Sequence, residues 1–282
     1  MRNILLTGAN GQVGRELQRT LAPLGKVRAL DRQALDLTGM DAIRAAIRDQ
    51  KPDLVVNAAA YTAVDQAEAE PDLAMLINGQ APGVMAEEAK RLGALLVHYS
   101  TDYVFNGAKP DPYTEEDEPA PINAYGKAKL AGERAIRASG CRHLIFRTSW
   151  VYGLFGKNFL RTIRRLAGEK EELSIVADQI GAPTWSRMIA EASALALRGD
   201  PPTGLYHMTS AGAASWHGFA KAILDTQGWN GKLVPIATCD YPTPASRPAN
   251  SRLDNGKLAA DFGLALPDWR HALELCLADG RT

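Results

Sequence analysis

The sequence predicts an α/β protein with a Rossmann-type, doubly wound parallel sheet and a smaller, loop-rich C-terminal region. Short apolar runs alternate with segments of helical periodicity through the first 150 residues. A glycine-rich turn stands between the first apolar run and the first helical segment. Beyond residue 150 the alternation becomes irregular and prolines accumulate. We therefore predict a core at 1–150, to which some later segments return, and a second region at 151–282.

The predicted strands are short apolar runs, and the predicted helices carry an apolar residue every three or four positions. Strands are expected at 4–6, 27–30, 53–60, 94–99 and 144–147, with another near 173–176. Helices are expected at 13–21, 38–50 and 71–92, across the segment that carries Tyr125 and Lys129, and around 158–166 and 186–197. Because proline lacks a backbone N–H, the long helix should kink at Pro82-Gly83.

Composition is that of an ordinary globular protein, with 46% hydrophobic and 23% charged residues in 282. Lys+Arg and Asp+Glu are both 32, which gives no electrostatic argument for nucleic acid or an anionic membrane as partner. The three cysteines are far apart and predict reduced thiols. No apolar run approaches the roughly 18 residues of a membrane span, and the N-terminal run is too short for a signal peptide. We expect a cytoplasmic protein that acts on a small molecule.

The glycine turn has the spacing of a phosphate-binding loop. Gly8, Gly11 and Gly14 follow a strand and open a helix, so the backbone can approach a pyrophosphate at the helix N-terminus. A lone glycine triplet is often only a turn, but Asp31 follows at the distance expected of a ribose-binding acid. Arg32 comes next and is suited to a 2′-phosphate, unless it is simply an exposed charge. The pattern predicts a nicotinamide dinucleotide and leaves NADH and NADPH open.

Tyr125 and Lys129 stand four residues apart, on one face of the predicted helix. An ammonium beside a phenol favours the phenolate, so we expect the pKa of Tyr125 to be lowered and the phenol to serve as a proton donor or acceptor. In isolation such a pair is usually a solvated one. Thr101 ends the fourth strand, where open α/β sheets bind ligands, and its hydroxyl can bond a reacting oxygen or cap a turn.

These features together resemble the extended short-chain dehydrogenase/reductase family. Within it the chain is similar to the dTDP-4-dehydrorhamnose reductase group. Four segments carry this resemblance, namely Asn57 to Asp65, His98 to Phe105, Arg147 to Tyr152, and Tyr241 to Pro248. The similarity extends from Asn3 to about Trp269, which is nearly the whole chain.

The resemblance implies reduction of dTDP-4-dehydro-L-rhamnose to dTDP-L-rhamnose, with a nicotinamide delivering hydride to C4 of the sugar. It implies that Tyr125 donates the proton, that Thr101 bonds the reacting oxygen, and that Lys129 binds the nicotinamide ribose. The implied cofactor contacts are Gly8, Gly11, Gln12, Val13, Asp31, Arg32, Asp36, Leu37, Ala60, Tyr61, Thr62 and Tyr99.

The resemblance also implies substrate contacts from Asp102, Tyr103, Trp150 and Arg247. An indole suits the apolar face of a deoxysugar, although Trp150 at a strand end also fits core packing. The guanidinium of Arg247 matches a pyrophosphate bidentately, although a surface ion pair fits it equally well.

Some members of the family bind Mg²⁺ at a dimer interface through three glutamates. Glu16 matches the first, whereas Arg187 stands at the second and Asp279 falls near the third. One carboxylate opposite an arginine is a poor site for a hard dication. We therefore expect no metal site, and Mg²⁺ enters only by analogy. The sequence leaves a monomer and a homodimer open.

Other functions use the same scaffold. A nucleotide-sugar dehydratase carries Asp-Glu after the threonine, but here Tyr103 follows Asp102, so the second carboxylate needed for elimination is missing. A 4-epimerase usually has serines at Thr101 and Asp102. A non-catalytic regulatory subunit, like that of animal methionine adenosyltransferase, shares the family, and the presence of Thr101, Tyr125 and Lys129 favours an enzyme instead.

Overall fold

A six-stranded parallel sheet forms the centre of the molecule. In the computed structural model, which describes residues 1–280, the strands are β1 Arg2–Thr7, β2 Gly25–Leu30, β3 Leu54–Asn57, β4 Leu95–Thr101, β5 Arg142–Thr148, β6 Val151–Tyr152, β7 Glu172–Val176, β8 Ile180–Gly181, β9 Thr184–Trp185, β10 Gly204–His207, β11 Ala214–Ser215 and β12 Lys232–Ile236. The strand order of the central sheet is β10-β5-β4-β3-β1-β2. The predicted fold class is confirmed, and each of the five predicted core strands coincides with one of β1 to β5, although β3 ends at Asn57 and the strand predicted at 53–60 is therefore too long.

Helices connect these strands and cover both faces of the sheet. They are α1 Gln12–Thr20, α2 Met40–Gln50, α3 Val64–Ala69, α4 Pro71–Met75, α5 Ala81–Leu92, α6 Ala124–Ser139, α7 Phe159–Glu169, α8 Ser186–Ala196, α9 Trp216–Asp225, α10 Gly256–Phe262 and α11 Trp269–Asp279. Among residues 1–280, no helix is both long and apolar enough to cross a membrane.

The sixth strand of the sheet comes from the second region of the chain. β10 pairs in parallel with β5 from Gly204 opposite Leu144 to His207 opposite Arg147. The other strands of this region form three pairs outside the central sheet, namely β12 with β7, β11 with β8, and β6 with β9. The carboxyl end of β10 therefore lies beside the carboxyl ends of β4 and β5.

The helix predicted over 71–92 is not one regular α-helix, and its irregular turn precedes Pro82. A π-helical turn, Leu76–Gln80, separates α4 from α5, and Pro82 lies in the first turn of α5, where its missing N–H breaks no helical bond. Asn78 in the π turn bonds the backbone of Tyr61 twice, at 2.9 and 2.8 Å. A Cβ on Gly132 of α6 would lie 2.2 Å from Asn78 O, so α6 packs directly on this turn.

Apolar side chains alternate between the two faces of the central strands, as expected for strands buried on both sides. Leu6 and Val97 pack with α1 and α8 on one face, whereas Leu5 and Val55 pack with α2 and α5 on the other. A separate cluster that includes Tyr152, Trp185, Phe219 and Trp269 forms the core of the second region. These cores position the ends of the strands that carry the candidate site.

Candidate active site

The glycine turn closely approaches the backbone that follows β3. Gly8 has a φ of +75°, and a Cβ there would lie 2.6 Å from Ala59 N. A Cβ on Gly14 would lie 2.0 Å from Gly8 O, so α1 can approach β1 only without a side chain at this position. Gly11 precedes α1 and has no side chain to cap its N–H groups. This cradle fits a pyrophosphate, which would accept from the helix N-terminus that begins at Gln12 and Val13.

Asp31 directly follows β2 and is held by three hydrogen bonds. Its Oδ1 accepts the backbone N–H groups of Gln33 and Ala34, both at 3.0 Å, and its Oδ2 accepts the amide of Asn10 at 3.0 Å. The carboxylate is thus fixed at the end of the strand. Remaining lone pairs on its oxygens can still accept from ribose hydroxyls.

Arg32 is free enough to meet a larger cofactor. Its side chain is 80% exposed, and its Nε lies 3.8 Å from Asp36 Oδ2. A backbone hydrogen bond from Thr38 lowers the pKa of Asp36, and the charge of Arg32 lowers it further. Leu37 is buried beside this turn. Nothing in this geometry selects NADH over NADPH.

Tyr125 lies in the first turn of α6, close to the end of β4. Asn123 caps the helix by accepting the N–H of Gly126 at 2.8 Å. A Cβ on Gly126 would lie 2.1 Å from Tyr103 O, so the two segments are in direct contact. The rings of Tyr103 and Tyr125 meet edge to face, with 5.8 Å between centroids. The structure therefore brings Tyr125 to the segment that carries Thr101, Asp102 and Tyr103.

The expected lowering of the pKa of Tyr125 is wrong in this structure. Burial raises the pKa of the phenol above its usual value, the charge of Asp102 raises it further, and a hydrogen bond with Thr101 lowers it. Lys129 is 1% exposed and turned toward β4, where Nζ donates to Tyr99 O at 2.6 Å. The i, i+4 spacing placed the two residues on one face but did not determine where the amine points.

Thr101 and Asp102 form a buried pair at the end of β4. Thr101 Oγ1 donates to Asp102 Oδ1 at 3.0 Å and accepts the N–H of Tyr103 at 3.2 Å. Thr101 therefore caps a turn and also faces Tyr125. Burial raises the pKa of Asp102 to about 6, although the nearby hydroxyls of Ser251 and Thr101 oppose this. Asp102 Oδ2 has no hydrogen-bond partner among the described residues, as expected of an acceptor that receives a ligand.

Trp150 is held in an unusual conformation. Its φ is +48°, in the left-handed region that bulky residues rarely adopt. Its indole stacks on Trp216 with centroids 3.5 Å apart and planes 7° apart. A Cβ on Gly181 would lie 2.6 Å from the Trp150 ring. The indole thus fills a slot with Trp216 on one side, a partner that sequence reasoning did not predict.

Arg247 is paired in this structure. Its NH2 group bonds Asp65 Oδ2 at 2.8 Å, and its NH1 group bonds Ala245 O at 3.0 Å and the Thr243 hydroxyl. Burial lowers the pKa of Arg247, but the hydrogen bond to Asp65 outweighs it with the aid of nearby charges, so the net shift is upward. Burial also raises the pKa of Tyr103, and the charge of Arg247 lowers it, which places the guanidinium near the ring.

The residues expected on the nicotinamide side lie after β3 and at the end of β4. Ala60, Tyr61 and Thr62 form the loop between β3 and α3, and the Tyr61 hydroxyl donates to Glu70 Oε2 at 2.8 Å. Tyr99 sends its side chain into the core, where the hydroxyl bonds Ser193 Oγ at 2.8 Å. The carbonyl of Tyr99, not its ring, is the group that faces Lys129.

Two sets of buried polar contacts near these residues were not predicted. Arg147 of β5 and Glu133 of α6 form a bidentate ion pair at 2.9 and 2.6 Å, and Ser100 Oγ donates to Glu133 Oε1 at 2.5 Å. His98 of β4 lies 3.1 Å from Lys129 Nζ. His98 could have been noticed in the sequence, because it directly follows the apolar residues of a strand that is buried on both faces. A polar side chain there has no access to water and needs a partner within the protein.

The residues aligned with a Mg²⁺ site do not fit the ion. Arg187 lies between the two carboxylates, with Nε 3.2 Å from Glu16 Oε2 and NH1 2.7 Å from Asp279 Oδ1. A guanidinium occupies the space and neutralises the charge that a hard dication requires. Within residues 1–280, no group of three or more His, Cys, Asp or Glu side chains is arranged to hold a metal ion.

The comparisons with known proteins agree with this geometry. The sequence model of the RmlD substrate binding domain matches residues 1–282. A dTDP-4-dehydrorhamnose reductase of Burkholderia thailandensis is 53% identical, with 98% of each chain covered. The crystal structure of such a reductase from Bacillus anthracis in complex with NADP is 37% identical, covers 99% of both chains and has a TM-score of 0.92. An ortholog from Clostridium acetobutylicum is 39% identical, with 99% of both chains covered and a TM-score of 0.95.

The similarity therefore spans the glycine turn, the end of β4, the start of α6 and the whole second region. It confirms the resemblance drawn from the four sequence segments. The chain belongs to the RmlD substrate binding domain family.

Proposed function

We propose that this chain reduces dTDP-4-dehydro-L-rhamnose to dTDP-L-rhamnose, using NADPH or NADH. The observation that carries the proposal is the meeting of Thr101, Asp102 and Tyr125 at the same carboxyl edge of the sheet as the glycine turn, in a chain that is 53% identical to a reductase of that name. The B. anthracis relative was crystallised with NADP, which supports a nicotinamide dinucleotide here.

The chain's own residues would hold the cofactor in the cradle described above. Backbone groups at Gly11, Gln12 and Val13 would receive the phosphates, and Asp31 would accept from the adenosine ribose. Arg32 would meet a 2′-phosphate, if one is present. When bound, the dihydronicotinamide supplies the hydride that reduces C4 of the sugar.

The proton that completes the reduction comes from Tyr125 in this proposal. Its raised pKa keeps the phenol protonated and ready to donate to the oxygen that develops negative charge. Thr101 would hydrogen-bond the same oxygen. Lys129 would reach the nicotinamide ribose and, when charged, stabilise the phenolate that remains on Tyr125. Proton donation of this kind contributes on the order of 10² to 10⁴ in rate.

Residues of both regions would hold the rest of the substrate. The free oxygen of Asp102 is suited to a sugar hydroxyl, and the indole of Trp150 to the apolar face of the ring. Tyr103 borders the same space. Arg247 would bind the pyrophosphate once it exchanges Asp65 for a phosphate oxygen. In this arrangement 1–150, with β10 added, is the dinucleotide-binding core, and 151–282 is mainly the substrate-binding region of a cytoplasmic monomer or homodimer.

A direct assay tests the proposal. Purified protein is mixed with dTDP-4-dehydro-L-rhamnose and either NADPH or NADH, and nicotinamide absorbance and the sugar product are followed. We expect turnover, and the ratio of kcat/KM values for the two dinucleotides resolves what Asp31 and Arg32 leave open. Absence of turnover with both dinucleotides would overturn the reductase function.

The role of Tyr125 is tested by Tyr125→Phe, which removes only the hydroxyl. We expect kcat to fall by about 10² to 10⁴ while NADPH still binds. Tyr206→Phe is the matched control, because the Tyr206 hydroxyl bonds Asp261 at 3.0 Å on the outer edge of the sheet. If Tyr125→Phe turned over as fast as the parent, another group would have to donate the proton.

A further inference from the structure

A chain of four buried polar side chains runs from β1 to α6 beneath the candidate site. Thr7 Oγ1 donates to Asn57 Oδ1 at 2.7 Å, and Asn57 Nδ2 lies 3.1 Å from His98 Nδ1. His98 Nε2 lies 3.1 Å from Lys129 Nζ. All four residues are at most 2% exposed. The chain ends on the amine that the proposed reaction uses, but the reaction as described gives His98 no role.

Asn57 fixes the direction of hydrogen bonding along this chain. Its Oδ1 lies 3.3 Å from the backbone nitrogen of Ala59, and a backbone N–H can only donate. The amide oxygen therefore faces Ala59, and the amide nitrogen faces His98. Because an amide nitrogen is also only a donor, His98 Nδ1 must accept, and the proton of the neutral ring lies on Nε2.

The Nε2–H of His98 points at Lys129. An ammonium carries three donors and no acceptor, so it cannot complete a bond with an N–H group. A neutral amine can, because its lone pair accepts from His98 while one of its hydrogens donates to Tyr99 O at 2.6 Å. The arrangement of donors and acceptors therefore fits an uncharged lysine.

We propose that His98 is a positioning residue for the reaction, acting through Lys129: its Nε2–H holds the amine in place and disfavours the ammonium. The inference rests on the proposed function, in which a charged Lys129 stabilises the phenolate left on Tyr125. His98 then determines the pH above which that stabilisation is lost. Below that pH, Lys129 gains its proton and can no longer accept from His98 Nε2.

The charged groups around Lys129 are consistent with this role. Burial lowers the pKa of Lys129 to about 8, against the opposing effect of Glu133 from the same helix. Glu133 is itself bound to Arg147 of β5. Burial also holds the pKa of His98 of β4 well below its usual value, and the charge of Lys129 lowers it further, so the ring is neutral at working pH. Tyr125 lies one turn before Lys129, and β1 and β3 contribute only the uncharged side chains named above.

The pH dependence of kcat/KM tests the proposal in the full-length enzyme. In the parent we expect activity to fall as pH rises through about 8, where Lys129 loses its charge. Asn57→Asp replaces the donor with an acceptor of the same shape, so Nδ1 of His98 must carry the proton and Nε2 must accept from an ammonium. His98→Gln offers Lys129 a carbonyl acceptor. In His98→Gln the alkaline limb should move up by about one pH unit. In Asn57→Asp the shift should be at least as large, because the added carboxylate also favours the ammonium by its charge.

His143→Gln is the matched control. His143 is also a buried histidine, on β5 beside β4, and its Nδ1 bonds Cys141 O at 2.9 Å. The pH dependence of kcat/KM in His143→Gln should coincide with that of the parent. An unchanged alkaline limb in both Asn57→Asp and His98→Gln, with folding verified by circular dichroism, would overturn the proposal.

A measurement that needs no activity separates this inference from the proposed function. Nitrogen-15 NMR of the parent at about pH 9.5, where His98 and Lys129 are both uncharged, reports which ring nitrogen carries the proton. We expect Nε2–H for His98, and Nδ1–H in Asn57→Asp. Observation of Nδ1–H in the parent would refute the inference even in an active reductase. A protein that shows Nε2–H but no turnover would contradict the proposed function alone.

Discussion

On the nicotinamide side of the site, the polar side chains from Thr7 to Lys129 are buried and bonded to one another in a single line. On the substrate side, Asp102 keeps one carboxylate oxygen without a partner among residues 1–280, and Trp150 has a left-handed backbone conformation. The two sides meet at Tyr125, which packs edge to face on Tyr103.

The difference indicates how the site divides its tasks. A fully paired line of donors and acceptors holds one arrangement, and this suits a cofactor that returns to the same position in every cycle. A buried carboxylate with one unbonded oxygen and a strained backbone are unfavourable on their own and persist because the surroundings impose them. A ligand that bonds Asp102 and packs on Trp150 recovers part of that free energy. We therefore expect the free oxygen of Asp102 to gain its hydrogen bond when the substrate binds.

The largest expected effect on stability comes from the buried ion pair between Glu133 and Arg147. Glu133 and Arg147 are each about 3% exposed or less and are bonded bidentately. Glu133→Leu leaves the buried guanidinium without its counter-ion, which should lower the free energy of unfolding by about 3 to 5 kcal/mol. Urea unfolding followed by circular dichroism measures this.

Two further variants sharpen that result. Glu133→Leu combined with Arg147→Met replaces both charges with apolar groups of similar size and should recover most of the loss. Asp225→Ala breaks an ion pair with Lys221 in which both side chains are more than 60% exposed, and should cost less than about 1 kcal/mol. A double variant as unstable as Glu133→Leu alone would show that lost packing, not the unpaired charge, dominates.

Sequence reasoning succeeded where the signal is local. The five core strands, the glycine turn and the position of Thr101 follow from apolar runs and glycine spacing over fewer than about ten residues each. The short i, i+4 interval correctly placed Tyr125 and Lys129 on one helix.

Sequence reasoning failed where a contact joins distant parts of the chain. The amine of Lys129 is drawn to His98 and Tyr99 on another element, so its direction could not follow from the spacing to Tyr125. Arg247 meets Asp65 across 182 residues, and Trp216 of α9 stacks on Trp150, which lies between β5 and β6. Periodicity carries no information about such pairs, because tertiary packing alone determines them.

Asp102→Asn should have the second largest effect on the free energy of unfolding, and it should raise this free energy where Glu133→Leu lowers it. The pKa of about 6 in the folded protein lies above the usual 3.8, so the folded state binds the proton more tightly than the unfolded state. Stability therefore falls as pH rises between these values and stays reduced above them. Removing the charge should stabilise the protein by about 2 to 3 kcal/mol at pH 8, and the gain should disappear below about pH 4.

The same substitution should impair substrate binding, because the amide carries no charge and replaces one of the two acceptor oxygens with an NH2 donor. Loss of a hydrogen bond to a charged group corresponds to a KM for the sugar nucleotide raised by about tenfold or more. Thermal unfolding at pH 4 and pH 8, together with steady-state kinetics, checks both effects. If Asp102→Asn were less stable than the parent at pH 8, the charge of Asp102 would not destabilise the folded protein, and our explanation of its role in ligand binding would be wrong.

The smallest expected effect concerns the partner of Trp150. Trp216→Ala removes the ring on which the indole stacks at 3.5 Å, so Trp150 loses one wall of its slot while its backbone stays in place. Aromatic stacking contributes about 1 kcal/mol beyond burial, which predicts a KM for the sugar nucleotide raised by about fivefold. The Kd for NADPH should not change, because Trp216 belongs to the second region. Trp229→Ala, in the turn between α9 and β12, removes an indole from the same core and is the control for general loosening. If Trp216→Ala weakened NADPH and sugar binding equally, the two sides of the site would be coupled, and the contrast between a paired and a strained half would not hold.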